Sequence, residues 1–203
     1  MNSTTYSRNE TLLGAALAPM DWTRSVSLVI AFSLFNAAAA QFALHIGPIP
    51  ITGQSFAVTL TGALLGSRLG AMALAAYVVE GCLGLPFFAG GTSGAHLLLG
   101  PTGGYLVSFP AAAYITGAFA EHGWDRRFLT AAAAMTIGSI IILAGGWSWL
   151  VAGLQAPPVT AFNAGVKPFL LGDVVKVVLA AAVLPTGWAI LKRKASQGKQ
   201  KQG

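Results

Sequence analysis

Residues 25–44 read SVSLVIAFSLFNAAAAQFAL, twenty positions without a charge. About 20 apolar residues are what a helix needs to cross the roughly 30 Å core of a bilayer. The rest of the chain agrees. Of 203 residues, 55% are hydrophobic and only 9% are charged, and the mean hydropathy is +0.68. A soluble domain carries roughly a quarter charged residues, so this chain cannot cover its own surface in water. That excludes a cytosolic enzyme, a disordered tail and a disulfide-rich secreted module. Cys82 is the single cysteine. It allows no internal disulfide.

Further apolar stretches follow at about Gln54–Gly66, Leu69–Leu85, Gly104–Ala120, Phe128–Trp149 and Pro168–Leu191. The expected fold is therefore an all-α integral membrane bundle of six transmembrane helices. The expected divisions are an N-terminal segment at 1–23, the membrane domain at 24–194 and a flexible basic tail at 195–203. The polar first 20 residues lack the apolar core of a signal peptide. The twelve basic residues set the orientation. Arg8, Arg24, Arg68, Arg126, Arg127, Lys192, Arg193, Lys194, Lys199 and Lys201 all fall on one side of a six-span layout, which leaves Lys167 opposite and Lys176 within a span. By the positive-inside rule both termini are cytoplasmic. The charge of +6 is thus a topology signal. It forms no basic stripe interleaved with aromatics, so nucleic acid is not expected as a partner.

The outer connections, His45–Gly53, Pro86–Gly103 and Gly145–Lys167, then hold most of the irregular backbone, including Gly47, Pro48, Pro157 and Pro158. This points to a site facing outward. Asp173 and Lys176 lie three apart near the outer end of the last span, so a helix places them on one face. An ionised group in a membrane helix costs about 2.5–3.5 kcal/mol on insertion scales. The pair is either an internal strut or a ligand site, and the cost of burying a mere strut favours the site. Glu80 raises the same question in the third span. It is a protonated group bonded to a neighbouring helix or a functional one, and it could answer Lys176 across the bundle.

In the second outer connection Gly90, Gly91, Thr92 and Gly94 precede Gly100-Pro101-Thr102-Gly103-Gly104-Tyr105. Glycines let a backbone approach a ligand, and the positive end of the fourth span suits a carboxylate. Close helix packing is the competing reading. Ala39 and Ala43, four apart, fit close approach of another helix, inside the bundle or from a partner. Phe87, Phe88, Tyr105, Trp147 and Trp149 read mostly as interface aromatics, with one or two free to line a site. No HExxH, GxxxxGK[ST] or GxSxG pattern occurs, and His45, His96 and His122 lack metal-ligand spacing. No enzyme activity, metal or cofactor is expected.

Four segments together resemble the BioY family, the biotin-binding S components of energy-coupling-factor (ECF) vitamin transporters. They are Pro48-Ile49-Pro50-Ile51-Thr52-Gly53-Gln54, Gly84-Leu85-Pro86-Phe87-Phe88-Ala89-Gly90-Gly91, Gly100-Pro101-Thr102-Gly103-Gly104-Tyr105 and Pro168-Phe169-Leu170-Leu171-Gly172-Asp173-Val174-Val175-Lys176. The resemblance implies a bacterial cytoplasmic-membrane protein that takes biotin from outside, contacts membrane lipid, and works with a coupling membrane subunit and ATPase subunits. It assigns biotin contacts to Asp173 and Lys176. It assigns a pocket role to Gly90, Gly91, Thr92, Gly94, Gly103, Gly104 and Tyr105, with Thr92 standing where some relatives carry asparagine. A lid is implied at Pro50 through Gln54, and docking to the coupling subunit at Ala39 and Ala43. The chemistry suits the ligand. A ureido ring offers a carbonyl acceptor and two N–H donors, which a lysine and a carboxylate match in kind. Rival readings are a solitary transporter without ATPases, an S component for another vitamin and an intramembrane enzyme.

Overall fold

The computed structural model describes residues 11–17, 19–44 and 49–200, so Gly47 and Pro48 of the first outer loop lie outside the described residues. Each apolar stretch forms a helix close to its expected place. In chain order these are α1 (Leu12–Ala16), α2 (Trp22–Gln41), α3 (Gln54–Leu65), α4 (Ser67–Cys82), α5 (Gly103–Glu121), α6 (Phe128–Ser148), α7 (Pro158–Gly165) and α8 (Lys167–Gln200). The short α1 and α7 were not foreseen. Within the expected third outer loop, a π turn extends α6 through Trp149–Gly153 and α7 follows. A two-residue ladder joins α2 to α3: β1 (Ala43–Leu44) runs antiparallel to β2 (Ile51–Thr52), with Ala43 opposite Thr52. Among the described residues, three helical stretches are long and apolar enough to cross a membrane: Trp22–Gln41, Phe128–Gly153 and Gly172–Arg193.

Helix α5 occupies the centre, against α3, α4 and α6, while α8 lies on α6 and α3. Small residues make this possible. A Cβ on Gly138 of α6 would strike Thr116 of α5 and Thr59 of α3, and one on Gly117 of α5 would strike the Gly66–Ser67 backbone. Such backbone approach is how helices associate where lipid removes the hydrophobic drive between them. Buried polar side chains add ties. The Asn36 amide of α2 donates to Thr61 Oγ1 of α3 at 2.9 Å. Helix α8 divides cleanly, with Asp173 inward and Val174, Val175, Val178 and Leu179 exposed on the opposite face.

The α3–α4 corner is a single residue, Gly66, at φ +90°. A side chain there would be strained and would also meet the Glu121 carboxylate. That carboxylate accepts from Ser67 N at 2.7 Å and from Ser67 Oγ at 2.9 Å. It caps the α4 N-terminus from the far end of α5, where negative charge is favoured.

At the same end, the turn Trp124–Arg126 docks on α8. Asp125 is 1% exposed and accepts from Trp188 Nε1 at 2.6 Å, and the Arg126 guanidinium stacks over the Trp188 ring. Burial pushes the Asp125 carboxyl up to about 6, against the Trp188 bond and the Arg126 charge, which both act to lower it. An acid whose folded-state pKa is raised favours folding while protonated. Its contribution is full below the ordinary value near 3.8 and is lost as pH rises through about 6. Asp125→Asn keeps an acceptor for Trp188 without the charge. Thermal melts should show this variant several degrees above wild type at about pH 8, with the gap closing towards about pH 4; a gap independent of pH would contradict the assignment.

Candidate functional site

The first residues of α3, α5 and α8 and the last of α4 and α6 meet at one end of the bundle. Between them lies a cavity of about 260 Å³, just below the usual range of pockets for drug-sized ligands. Its apolar wall is built by Ile49 and Pro50 before β2, by Phe88, Ala89, Leu97 and Pro101 of the second connection, by Leu106 and Phe109 of α5, by Ile142 and Leu143 of α6 and by Phe169 of α8. Thr52, Gln54, Ser55, Thr92, Thr102, Tyr105, Asp173 and Lys176 supply the polar groups.

The polar groups converge on α8. Lys176 Nζ donates to the Thr52 carbonyl at 2.6 Å and to Ser55 Oγ at 3.0 Å. Ser55 Oγ donates to Asp173 Oδ1 at 2.9 Å. Lys176 Nζ stands 3.6 Å from that same oxygen. Asp173 is 7% exposed, and its second oxygen, Oδ2, is buried without a partner. A buried carboxylate oxygen with nothing to accept is costly unless something arrives to fill it.

Other polar groups are already committed. The Gln54 amide nitrogen donates to Tyr77 OH at 2.6 Å, and its oxygen accepts from Thr52 Oγ1 at 2.9 Å. Tyr77 OH in turn donates to the Phe87 carbonyl at 2.9 Å. Gln54 therefore braces the first connection against the second while it lines the cavity. Tyr105 OH donates to the Gly165 carbonyl at 2.6 Å, so Tyr105 presents its ring, 6.0 Å from that of Phe169. Thr92 Oγ1 donates to the Ala89 carbonyl at 3.0 Å and keeps its lone pairs for the cavity.

Of the expected site residues, Asp173, Lys176, Gln54, Thr92 and Tyr105 come together on one cavity. The five glycines are not among its lining residues. Gly90, Gly91 and Gly94 have φ of +66°, +78° and +108° and turn the chain so that Phe88 and Ala89 reach the wall. Gly103 and Gly104 serve close packing, since a Cβ on them would strike the Leu98 carbonyl and the Trp149 side chain respectively. Glu80 also lies off the cavity. Its Oε2 is buried without a hydrogen-bond partner, and the Lys176 bonds go to Thr52 and Ser55 rather than to Glu80. The Ala39/Ala43 spacing does not survive. Helix α2 ends at Gln41, so Ala43 sits in β1 and the two share no helix face, while the Ala39 carbonyl faces Gly53. Ser55 and the Thr52 carbonyl were missed. A serine in an apolar helix carries no sequence signal, and a backbone carbonyl carries none at all.

The sequence and the fold have known counterparts. The BioY family profile matches residues 7–193. The chain belongs to the BioY family. A probable biotin transporter BioY of Pyrococcus horikoshii is 38% identical over 161 residues, covering 79% of this chain and 93% of that one. The biotin transporter BioY of Rhodobacter capsulatus is 37% identical over 191 residues, covering 88% and 92%. Among solved structures, the S component for biotin from an ECF-type ABC transporter superposes with a TM-score of 0.70 at 23% identity, over 81% of this chain and 90% of the other. That likeness shows a shared fold. The matched BioY relatives are named as transporters, not enzymes.

Proposed function

We propose that this chain is the S component of an ECF transporter, which captures biotin at the outer face of the bacterial cytoplasmic membrane and carries it across. The observation that carries this reading is the Asp173–Ser55–Lys176 cluster at the polar end of an otherwise apolar cavity, with one carboxylate oxygen unpartnered. In this reading α2, α3, α4, α5, α6 and α8 are the six spans. The distribution of basic residues supports both termini inside and the cavity outside. Asp173 Oδ2 accepts from a ureido N–H. A free Lys176 proton meets the ureido carbonyl. The thiophane ring and alkyl chain lie along Phe88, Phe109 and Phe169. The carboxylate reaches Thr102, at the N-terminus of α5, where the helix dipole favours negative charge.

The chain holds no nucleotide-binding motif. Energy therefore comes from partners, a coupling membrane subunit and ATPase subunits. The exposed apolar faces, such as Val174 and Val178, contact lipid. The test has two arms. Biotin is expected to co-purify with the detergent-extracted protein and to resist competition by other vitamins. Uptake of labelled biotin by a biotin-auxotrophic host is expected to rise when the ATPase module is co-expressed. Uptake unaffected by that module would favour the solitary transporter, and displacement by a different vitamin would replace the substrate.

A further inference from the structure

Asp173 and Lys176 form an ion pair but share no short direct hydrogen bond. Their 3.6 Å separation is too long for a charge-assisted hydrogen bond, which closes to about 2.8 Å. Ser55 lies between them, accepting from Lys176 Nζ at 3.0 Å and donating to Asp173 Oδ1 at 2.9 Å. The directions are forced. An ammonium only donates and an ionised carboxylate only accepts, so the one hydroxyl proton goes to Asp173. Of the three Lys176 protons, one goes to Thr52 O, one to Ser55 Oγ, and one remains. Asp173 keeps Oδ2.

We propose that Ser55 is a positioning residue that holds the Asp173–Lys176 pair open, so that one donor and one acceptor stay available to a ligand edge that offers a carbonyl beside an N–H. Without the hydroxyl, Nζ and Oδ1 close on one another and consume that donor. A ligand would then have to break a hydrogen-bonded ion pair before binding. The inference rests on the biotin reading of the same cavity and adds a third residue to it.

The position of Ser55 suits the task. It is the second residue of α3, immediately after the Thr52–Gln54 segment whose carbonyl Lys176 also holds. Any movement of the first outer connection is therefore transmitted to the pair.

Three variants test this: Ser55→Ala, Ser55→Thr and Ser55→Val. Threonine and valine have the same shape and differ in the hydroxyl. Biotin affinity is measured by calorimetry on ligand-depleted protein in detergent, alongside the melting temperature of the empty protein. Ser55→Ala and Ser55→Val are expected to bind at least about tenfold more weakly than wild type, and Ser55→Thr within about threefold. The empty Ser55→Ala protein should melt no lower than wild type, because a hydrogen-bonded ion pair replaces the bridge. A packing strut would instead lose stability and would not separate threonine from valine. Equal affinities for threonine and valine, or Ser55→Ala binding like wild type, would overturn the role of Ser55 alone. If valine prevents folding, the comparison of alanine with wild type decides. Wild-type protein that fails to bind biotin would overturn the functional reading and this inference with it.

Discussion

Asp173→Asn is expected to weaken biotin binding by about 100-fold. Two losses combine. The amide can turn its NH₂ towards the ligand, setting donor against donor where Oδ2 now waits without a partner. A hydrogen bond to a charged group is worth about 1.5–3 kcal/mol net. The second loss is charge. Lys176, held 3.6 Å away, loses the counterion that fixes its ammonium beside the ligand, which weakens the second polar contact. These do not add fully, and a net of about 3 kcal/mol corresponds to roughly 100-fold. The fold should survive, because the hydrogen bond that Asp173 makes is to Ser55. Calorimetric titration of wild type and variant, both checked for a monodisperse elution profile, reads the effect. Affinity within a few-fold of wild type would remove Asp173 from the binding site.

Much of the fold was legible because lipid makes helices conspicuous. A membrane span must satisfy every backbone group internally, so an uncharged run of the right length has few alternatives. α6 begins at Phe128, where the sequence places it, and α3 begins at Gln54. α7 was hidden because Pro157 and Pro158 read as loop, yet proline at the first turn starts a helix well. Asp173 and Lys176 were legible for a related reason, the cost of charge in lipid. The glycines were half legible. Their chemistry says that something comes close, but not what. At Gly104 it is the Trp149 side chain, and at Gly90 it is the chain's own turn. Ser55 was invisible because its role depends on α3 and α8 meeting, 118 residues apart in the chain. Ala39 and Ala43 misled because the spacing rule assumes a continuous helix, and α2 stops between them.

Gly62→Val should cause the largest loss of stability. Gly62 sits where α3, α4 and α5 touch through their backbones. A Cβ there would strike the Ala113 carbonyl of α5, with Ala113 Cα at 2.9 Å, and the site for a Cβ on Gly70 of α4 is 2.9 Å from Gly62 Cα. Overpacking typically costs about 1–3 kcal/mol when side chains can shift. Here the obstacles are main chain within two helices, so the cost lies at the top of that range. In a chain of this size about 3 kcal/mol corresponds to a fall of roughly 10 °C in melting temperature. Biotin affinity should fall as well, since α3 carries Gln54 and Ser55 and cannot move away from α5 without moving them. Gly172→Ala is the matched control. It lies next to Asp173 in α8, yet a Cβ there meets nothing within 4 Å, and replacing glycine within a helix gains about 0.5–1 kcal/mol. Melting followed by size-exclusion fluorescence should therefore show Gly62→Val well below wild type and Gly172→Ala at or slightly above it. Similar behaviour of the two variants would show that backbone contact at the three-helix crossing does not set the cost of a side chain at Gly62.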